Sequence, residues 1–169
     1  MNLNEQMKAY GLKRWHTVEM SRQQSVAEHQ WGVTMIAREI YFRLVDEPAP
    51  SGKNALMIRA LVHDMDEING GDVPANHKPE KDISDDFFSA VVDVADKMEA
   101  YWYATWYAAG PTRNAVVADT EQRMKRKIEQ FESKFGIKDD SIKEVYVELM
   151  TECYDEREDT KKVPWGGAA

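Results

Sequence analysis

The sequence predicts an all-α fold, a single bundle of about five main helices. Three observations lead there. Apolar residues recur at three- and four-residue spacing over several long segments, whereas the period-two alternation of strands is weak throughout. Two capping signatures, Ser25 with Glu28 and Ser141 with Glu144, open such segments. Proline and glycine clusters then separate the segments from one another.

The first helix follows the Ser25–Glu28 box, in which each side chain satisfies a free amide at the helix start. Its apolar stripe is Val33, Ile36, Ala37, Ile40 and Leu44. Asp46 to Lys53, with two prolines and a glycine, reads as a loop. A second helix is expected from Asn54, carrying Leu56, Ala60, His63 and Glu67 on one face and ending before Asn69-Gly70-Gly71. Asp72 to Asp82 holds two more prolines and reads as a surface loop. A third helix spans Ser84 to Ala109, stopped by Gly110-Pro111. A fourth spans Ala115 to Phe135, with Gly136 as its end, and a fifth opens at the Ser141–Glu144 box and reaches Arg157. No repeat or linker divides the chain, so residues 1–158 form one domain and 159–169, rich in glycine and alanine, form a flexible tail.

The 169 residues suit one core. A formal net charge of −8 disfavours a grip on nucleic-acid polymers, which needs a basic surface to displace counterions, but leaves room for a small anion in a cleft holding a few cations. Cys153 is the single cysteine, so no internal disulfide forms and a reducing compartment is the natural setting. Met1 to Tyr10 is polar and unlike a signal peptide, and no run approaches the roughly 18–20 apolar residues of a bilayer span. No membrane association and a cytoplasmic setting are the expectations.

The chemistry centres on His63-Asp64. Adjacent helical residues point about 100° apart, so both reach one ion only if it sits against the edge between them. His29, in the first turn of the preceding helix, can face that edge. Asp96 lies within the apolar run Val91, Val92, Val94, Ala95 and Met98, where a carboxylate is costly unless it is paired or bound to metal. Asp93 meets the same argument and is a rival. Two imidazoles and two carboxylates suit a divalent transition metal.

This pattern resembles the HD-domain phosphohydrolases, named for their adjacent histidine and aspartate. Within them it is similar to the YfbR-like bacterial 5'-deoxynucleotidases and the phage dATP triphosphohydrolases. The resemblance is carried by Arg14-Trp15, Arg22, Ser25-Val26-Ala27-Glu28-His29, His63-Asp64-Met65-Asp66-Glu67 with Gly71-Asp72-Val73-Pro74, and Ala95-Asp96-Lys97-Met98-Glu99-Ala100-Tyr101. It implies that His29, His63, Asp64 and Asp96 hold the metal, which favours Asp96 over Asp93. It implies that Glu67 positions or deprotonates the attacking water, and its spacing from His63 and Asp64 independently puts it on the same helical face. Asp72 matches an aspartate near sugar and phosphate. Arg14, Arg22 and Lys78 are the candidate phosphate binders, and Trp15 is the candidate platform for a base. His77, beside Lys78, is not part of the pattern.

The implied activity is metal-assisted hydrolysis at the α-phosphorus of a deoxynucleotide, with cobalt, zinc, manganese or magnesium as the ion. The compact chain is most similar to the phage branch, which points to dATP and to release of deoxyadenosine and triphosphate; a host cytoplasm is then the setting. The alternative substrate is a deoxynucleoside monophosphate, and the alternative class is a non-catalytic nucleotide- or metal-binding module. The resemblance and the aromatic third helix also imply a homo-oligomer, dimer or hexamer. Plainer readings stay open for single residues. His16 and His77 suit solvated surface histidines. Trp15 suits a core or interface position as well as a stacking platform, and Tyr101, Trp102, Tyr103, Trp106 and Tyr107 suit core packing or a subunit contact.

Overall fold

The computed structural model describes residues 7–65, 82–137 and 140–159, the last of these with side chains as far as residue 151. Among them are five α-helices, as the hydrophobic pattern predicts: α1 (Val26–Leu44), α2 (Pro50–Val62), α3 (Phe87–Tyr107), α4 (Arg113–Phe135) and α5 (Ser141–Asp159), preceded by a short 3-10 turn at Lys8–Tyr10. No strand occurs among the described residues, where two isolated bridges join Lys13 to Ser25 and Met20 to Ala108. None of the described helices is long and apolar enough to cross a membrane. The expected tail at 159–169 lies almost wholly outside the described residues.

The Ser25–Glu28 capping box forms as expected. The Glu28 amide donates to Ser25 Oγ at 3.2 Å, and the Ser25 amide donates to Glu28 Oε2 at 2.7 Å. This box sets where α1 begins and therefore places His29 in its first turn.

Helix α2 corrects the sequence reading at both ends. It starts at Pro50 rather than Asn54, so Pro50 to Lys53 is helix and not loop. The reason is that proline is well suited to the first helical position, where its missing N–H costs nothing. At the other end the helix stops at Val62, and His63-Asp64 falls in a turn instead of on the helical face expected for it. His63 is the cap residue, and its Nδ1–H donates to the Ala60 carbonyl at 2.7 Å, satisfying one of the acceptors a helix end leaves open.

Helix α3 begins at Phe87, three residues later than expected, because Asp86 is its cap: the carboxylate accepts the Ser89 amide at 2.8 Å. Helix α4 starts two residues before the expected Ala115 and ends at Gly136, whose φ of 66° is the left-handed geometry that glycine tolerates. Ser141 is the first helical residue of α5 rather than its cap, since the Asp140 carbonyl already takes the Glu144 amide at 2.8 Å.

Helix α3 runs through the middle of the bundle, packed on α1, α2 and α4, while α5 lies against α1. Val33, Ala37 and Ile40 of α1 meet Ala90, Val91, Val94, Ala95 and Met98 of α3, with Leu56 and Ala60 of α2 and Phe131 of α4 closing the core. The segment before α1 crosses the end of this bundle. It is held by Arg14 N–H to the Gln24 carbonyl (2.8 Å), Ser21 N–H to the Tyr107 carbonyl (2.7 Å) and Ala109 N–H to the Glu19 carbonyl (2.9 Å). That strap brings Arg14 and Trp15 over the helix ends that carry the histidines and aspartates.

Candidate metal centre

Four side chains converge where α1 begins, α2 gives way to a turn and α3 passes its midpoint. One ligand atom from each of His29, His63, Asp64 and Asp96 lies within 4.8 Å of all the others. His29 Nε2 is 3.1 Å from Asp96 Oδ1 and 3.3 Å from Asp64 Oδ2. His63 Nε2 is 3.4 Å from Asp64 Oδ2 and 3.9 Å from Asp96 Oδ1. Ligands roughly 2.0–2.2 Å from a divalent ion must themselves stand about 3–4.4 Å apart, which is the spacing found. The turn at His63-Asp64 achieves what a continuous helix would obstruct, because it lets neighbouring side chains aim at one point.

Hydrogen bonding settles which ring nitrogen faces that point. A backbone carbonyl only accepts, so the bond to Ala60 makes His63 Nδ1 a donor and leaves Nε2 with its lone pair toward the cluster. His29 Nδ1 lies 2.5 Å from Glu99 Oε2, and a carboxylate there assigns the proton to Nδ1 in the same way. His29 Nε2, His63 Nε2 and Asp64 Oδ2 are buried and make no hydrogen bond. Buried polar atoms without partners are expensive unless something else satisfies them, and three converging on one point fit a cation.

Electrostatics agree. Burial by itself would lower the His29 pKa, and Arg14 pushes the same way, but the Glu99, Asp64 and Asp96 carboxylates outweigh both and hold it up at about 10. The ring nitrogen thus faces a strongly negative cluster. Burial opposes ionisation of Asp64, yet His29, His63 and Arg14 hold it below its ordinary value. Against the same cost of burial, Lys97 and the two histidines hold Asp96 well below its own. Both carboxyls are therefore charged ligands at neutral pH.

The rival Asp93 is drawn elsewhere. Its carboxylate accepts the Ser84 amide at 3.0 Å, and it does not belong to the four-residue cluster. Arg14 reaches the rim of the cage, with Nη1 3.8 Å from Asp64 Oδ2. Trp15 lies half-buried on the strap with a left-handed backbone (φ 64°), its ring stacked nearly parallel to Tyr103 at 6.2 Å. Arg22 is not brought to the cage: its guanidinium donates to Glu28 at 2.5 Å and lies over the Tyr107 ring at 5.5 Å. Glu67, Asp72, His77 and Lys78 lie outside the described residues. His16 is exposed, in keeping with a solvated histidine. In the aromatic cluster Tyr101 and Tyr103 are buried, and Tyr101 packs against Tyr146, so part of it is core.

Three participants were missed by sequence reasoning. Lys97 Nζ donates to Asp96 Oδ2 at 2.6 Å, placing a second cation beside the cage. Glu99 holds His29, and Gln24 holds Glu99. A signal for Glu99 existed, an acid three residues after Asp96 in an apolar helix. None existed for Gln24.

A family model described as an HD domain matches residues 5–161. A dATP triphosphohydrolase of Cyanophage S-2L is 35% identical over 74 residues, covering 44% of this chain and 41% of that protein. A dATP triphosphohydrolase of Salmonella phage PMBT28 is 36% identical over 80 residues, covering 43% and 40%. The aligned stretch thus spans about two-fifths of each curated relative (41% and 40%). The solved structure of the Cyanophage S-2L HD phosphohydrolase (DatZ), bound to dA and one catalytic zinc ion, superposes with a TM-score of 0.69 at 21% identity. It covers 95% of this chain and 98% of that one, and at this identity the likeness is one of fold.

Proposed function

The chain belongs to the HD domain family, and from that premise we propose that it is a metal-dependent phosphohydrolase that splits dATP into deoxyadenosine and triphosphate. The observation that carries this reading is the cage of His29, His63, Asp64 and Asp96, with its buried, unpartnered ligand atoms. The named activity of the two phage relatives and the dA and zinc in the neighbour of like fold support the substrate and the ion.

A divalent ion held by these four residues supplies Lewis acidity, withdrawing charge from a phosphoryl oxygen and acidifying water. The protein does the rest. Water attacks the α-phosphorus, the bond from phosphorus to O5' breaks, and the 5'-oxygen leaves with a proton as deoxyadenosine. Glu67 is assigned the proton of the attacking water, the role that the resemblance to the HD-domain phosphohydrolases implies for it. Arg14 and Lys97, at the rim beside Asp64 and Asp96, offset charge that builds on the phosphoryl oxygens. Lys78 and Arg22 are assigned the outer phosphates, which for Arg22 requires release from Glu28. Asp72 is assigned to the sugar end, and the Trp15 ring to the base.

A deoxynucleoside monophosphate would lose the same bond, so the monophosphatase reading differs in substrate and not in mechanism. A homo-oligomer and a host cytoplasm complete the proposal. The metal site is tested by Asp64→Ala. The variant is expected to fold and to lose bound metal on elemental analysis, whereas wild-type stoichiometry would refute the site.

A further inference from the structure

We propose that Gln24 and Glu99 form a positioning relay that ties Trp15, the candidate base platform, to His29, the candidate metal ligand. The inference rests on the metal-dependent reading above and deepens it.

The relay is continuous. Trp15 Nε1–H donates to Gln24 Oε1 at 3.3 Å, Gln24 Nε2–H donates to Glu99 Oε1 at 2.5 Å, and His29 Nδ1–H donates to Glu99 Oε2 at 2.5 Å. Its polarity is forced from one end. An indole nitrogen can only donate, so the Gln24 amide must turn its oxygen to Trp15 and its NH2 to Glu99. A charged carboxylate only accepts, so Glu99 must receive its second bond from His29. That turns the other ring nitrogen, His29 Nε2, toward the cage. The tryptophan ring and the His29 ring are thus held at the two ends of one hydrogen-bond chain.

The surroundings keep the relay dry and rigid. Gln24 is 3% exposed, Glu99 3% and His29 0%. Gly32 makes room for it, since a Cβ at that position would stand 2.9 Å from Glu99 Cγ. Gln24 is also held by its backbone, where its carbonyl accepts the Arg14 amide at 2.8 Å. Trp15 is fixed in a left-handed backbone conformation that non-glycine residues seldom adopt. A base stacked on Trp15 therefore presses on a residue wired to the metal ligand, and occupancy of the two sites is coupled.

The test uses the full chain, freed of metal for the titration and zinc-loaded for the spectra. Calorimetric titration with zinc is expected to show Glu99→Gln binding roughly 10- to 100-fold more weakly than wild type, the usual effect of losing a partner behind a metal-bound histidine. The discriminating readout is the His29 Nδ1–H resonance in 15N-histidine-labelled protein. Trp15→Phe keeps an aromatic ring but removes the indole donor, and Gln24→Leu breaks the middle link. Both are expected to shift that resonance, although the bonds they remove are not made to His29. If Glu99→Gln does not fold, these two variants carry the test. An unmoved resonance in both, or unchanged zinc affinity in a folded Glu99→Gln, would overturn the relay while leaving the metal site standing. A wild-type chain that binds no zinc or other divalent ion would overturn the metal reading and the relay together.

Discussion

A buried histidine serves a cation only when the right nitrogen faces it, and here each ring is turned by a partner behind it. His63 uses the Ala60 carbonyl and His29 uses Glu99. Around them the Asp64, Asp96 and Glu99 carboxylates outnumber the two cations, Lys97 beside Asp96 and Arg14 beside Asp64. Lys97 is the more telling of the pair. Its own pKa is raised, chiefly by the Asp96 charge, so it stays protonated throughout the physiological range. Lys97→Met should leave zinc bound, because removing a neighbouring positive charge does not weaken an anionic cage. Turnover of dATP should fall by about 10- to 100-fold, the scale of one hydrogen bond to a charged group. Loss of zinc in this variant would show instead that Lys97 serves only to position Asp96. At this scale the four cage residues were legible because histidine and aspartate stand out beside apolar helical segments. The Gln24–Glu99 bond was not, because it joins residues 75 apart in the chain and no local pattern encodes it. The Arg22–Glu28 pair was hidden for a similar reason: a flexible cation near a site in sequence can settle on the capping carboxylate instead.

Helix ends do most of the positioning. The Ser25–Glu28 box sets the start of α1, the His63 cap terminates α2, and Asp86 opens the helix that carries Asp96, Lys97 and Glu99. Capping signatures are local, so the α1 start could be read from the sequence directly. The end of α2 could not, since no glycine or proline marks it and His63 itself caps the last turn. Asp86 offers a test at this scale. Its carboxyl is held below its ordinary value, first by the Ser89 amide and, against a small cost of burial, by Arg59. A depressed carboxyl adds stability that is full above its unfolded value near 4 and is lost as pH falls through the lower folded value. Asp86→Ala should therefore cost about 1 kcal/mol in urea unfolding at neutral pH. The difference from wild type should shrink as pH drops below about 4. A cost that stayed constant with pH would mean that the cap is not what Asp86 contributes.

At the scale of the molecule, the strap, α1, the turn after α2, and α3 bring residues from positions 14 to 99 around one point, with α3 as the common wall. The helical class and the order of the helices were readable because amphipathic periodicity reports which face is buried. The crossing strap from residue 11 to 25 was not, for it has no periodicity and is held by backbone bonds to distant carbonyls. That strap carries Arg14, Trp15 and Gln24, so the least legible segment is the one that reaches Asp64 and Glu99 from outside the bundle.

The most direct measurement is a product assay with dATP, dGTP, dAMP and dGMP, each supplied with zinc, cobalt, manganese and magnesium in turn. Deoxyadenosine and intact triphosphate from dATP, in equal amounts and only with a divalent ion present, are the predicted result. Release of single phosphate with dADP would place the attack at the wrong phosphorus, and no turnover of any substrate with any ion would contradict the account outright.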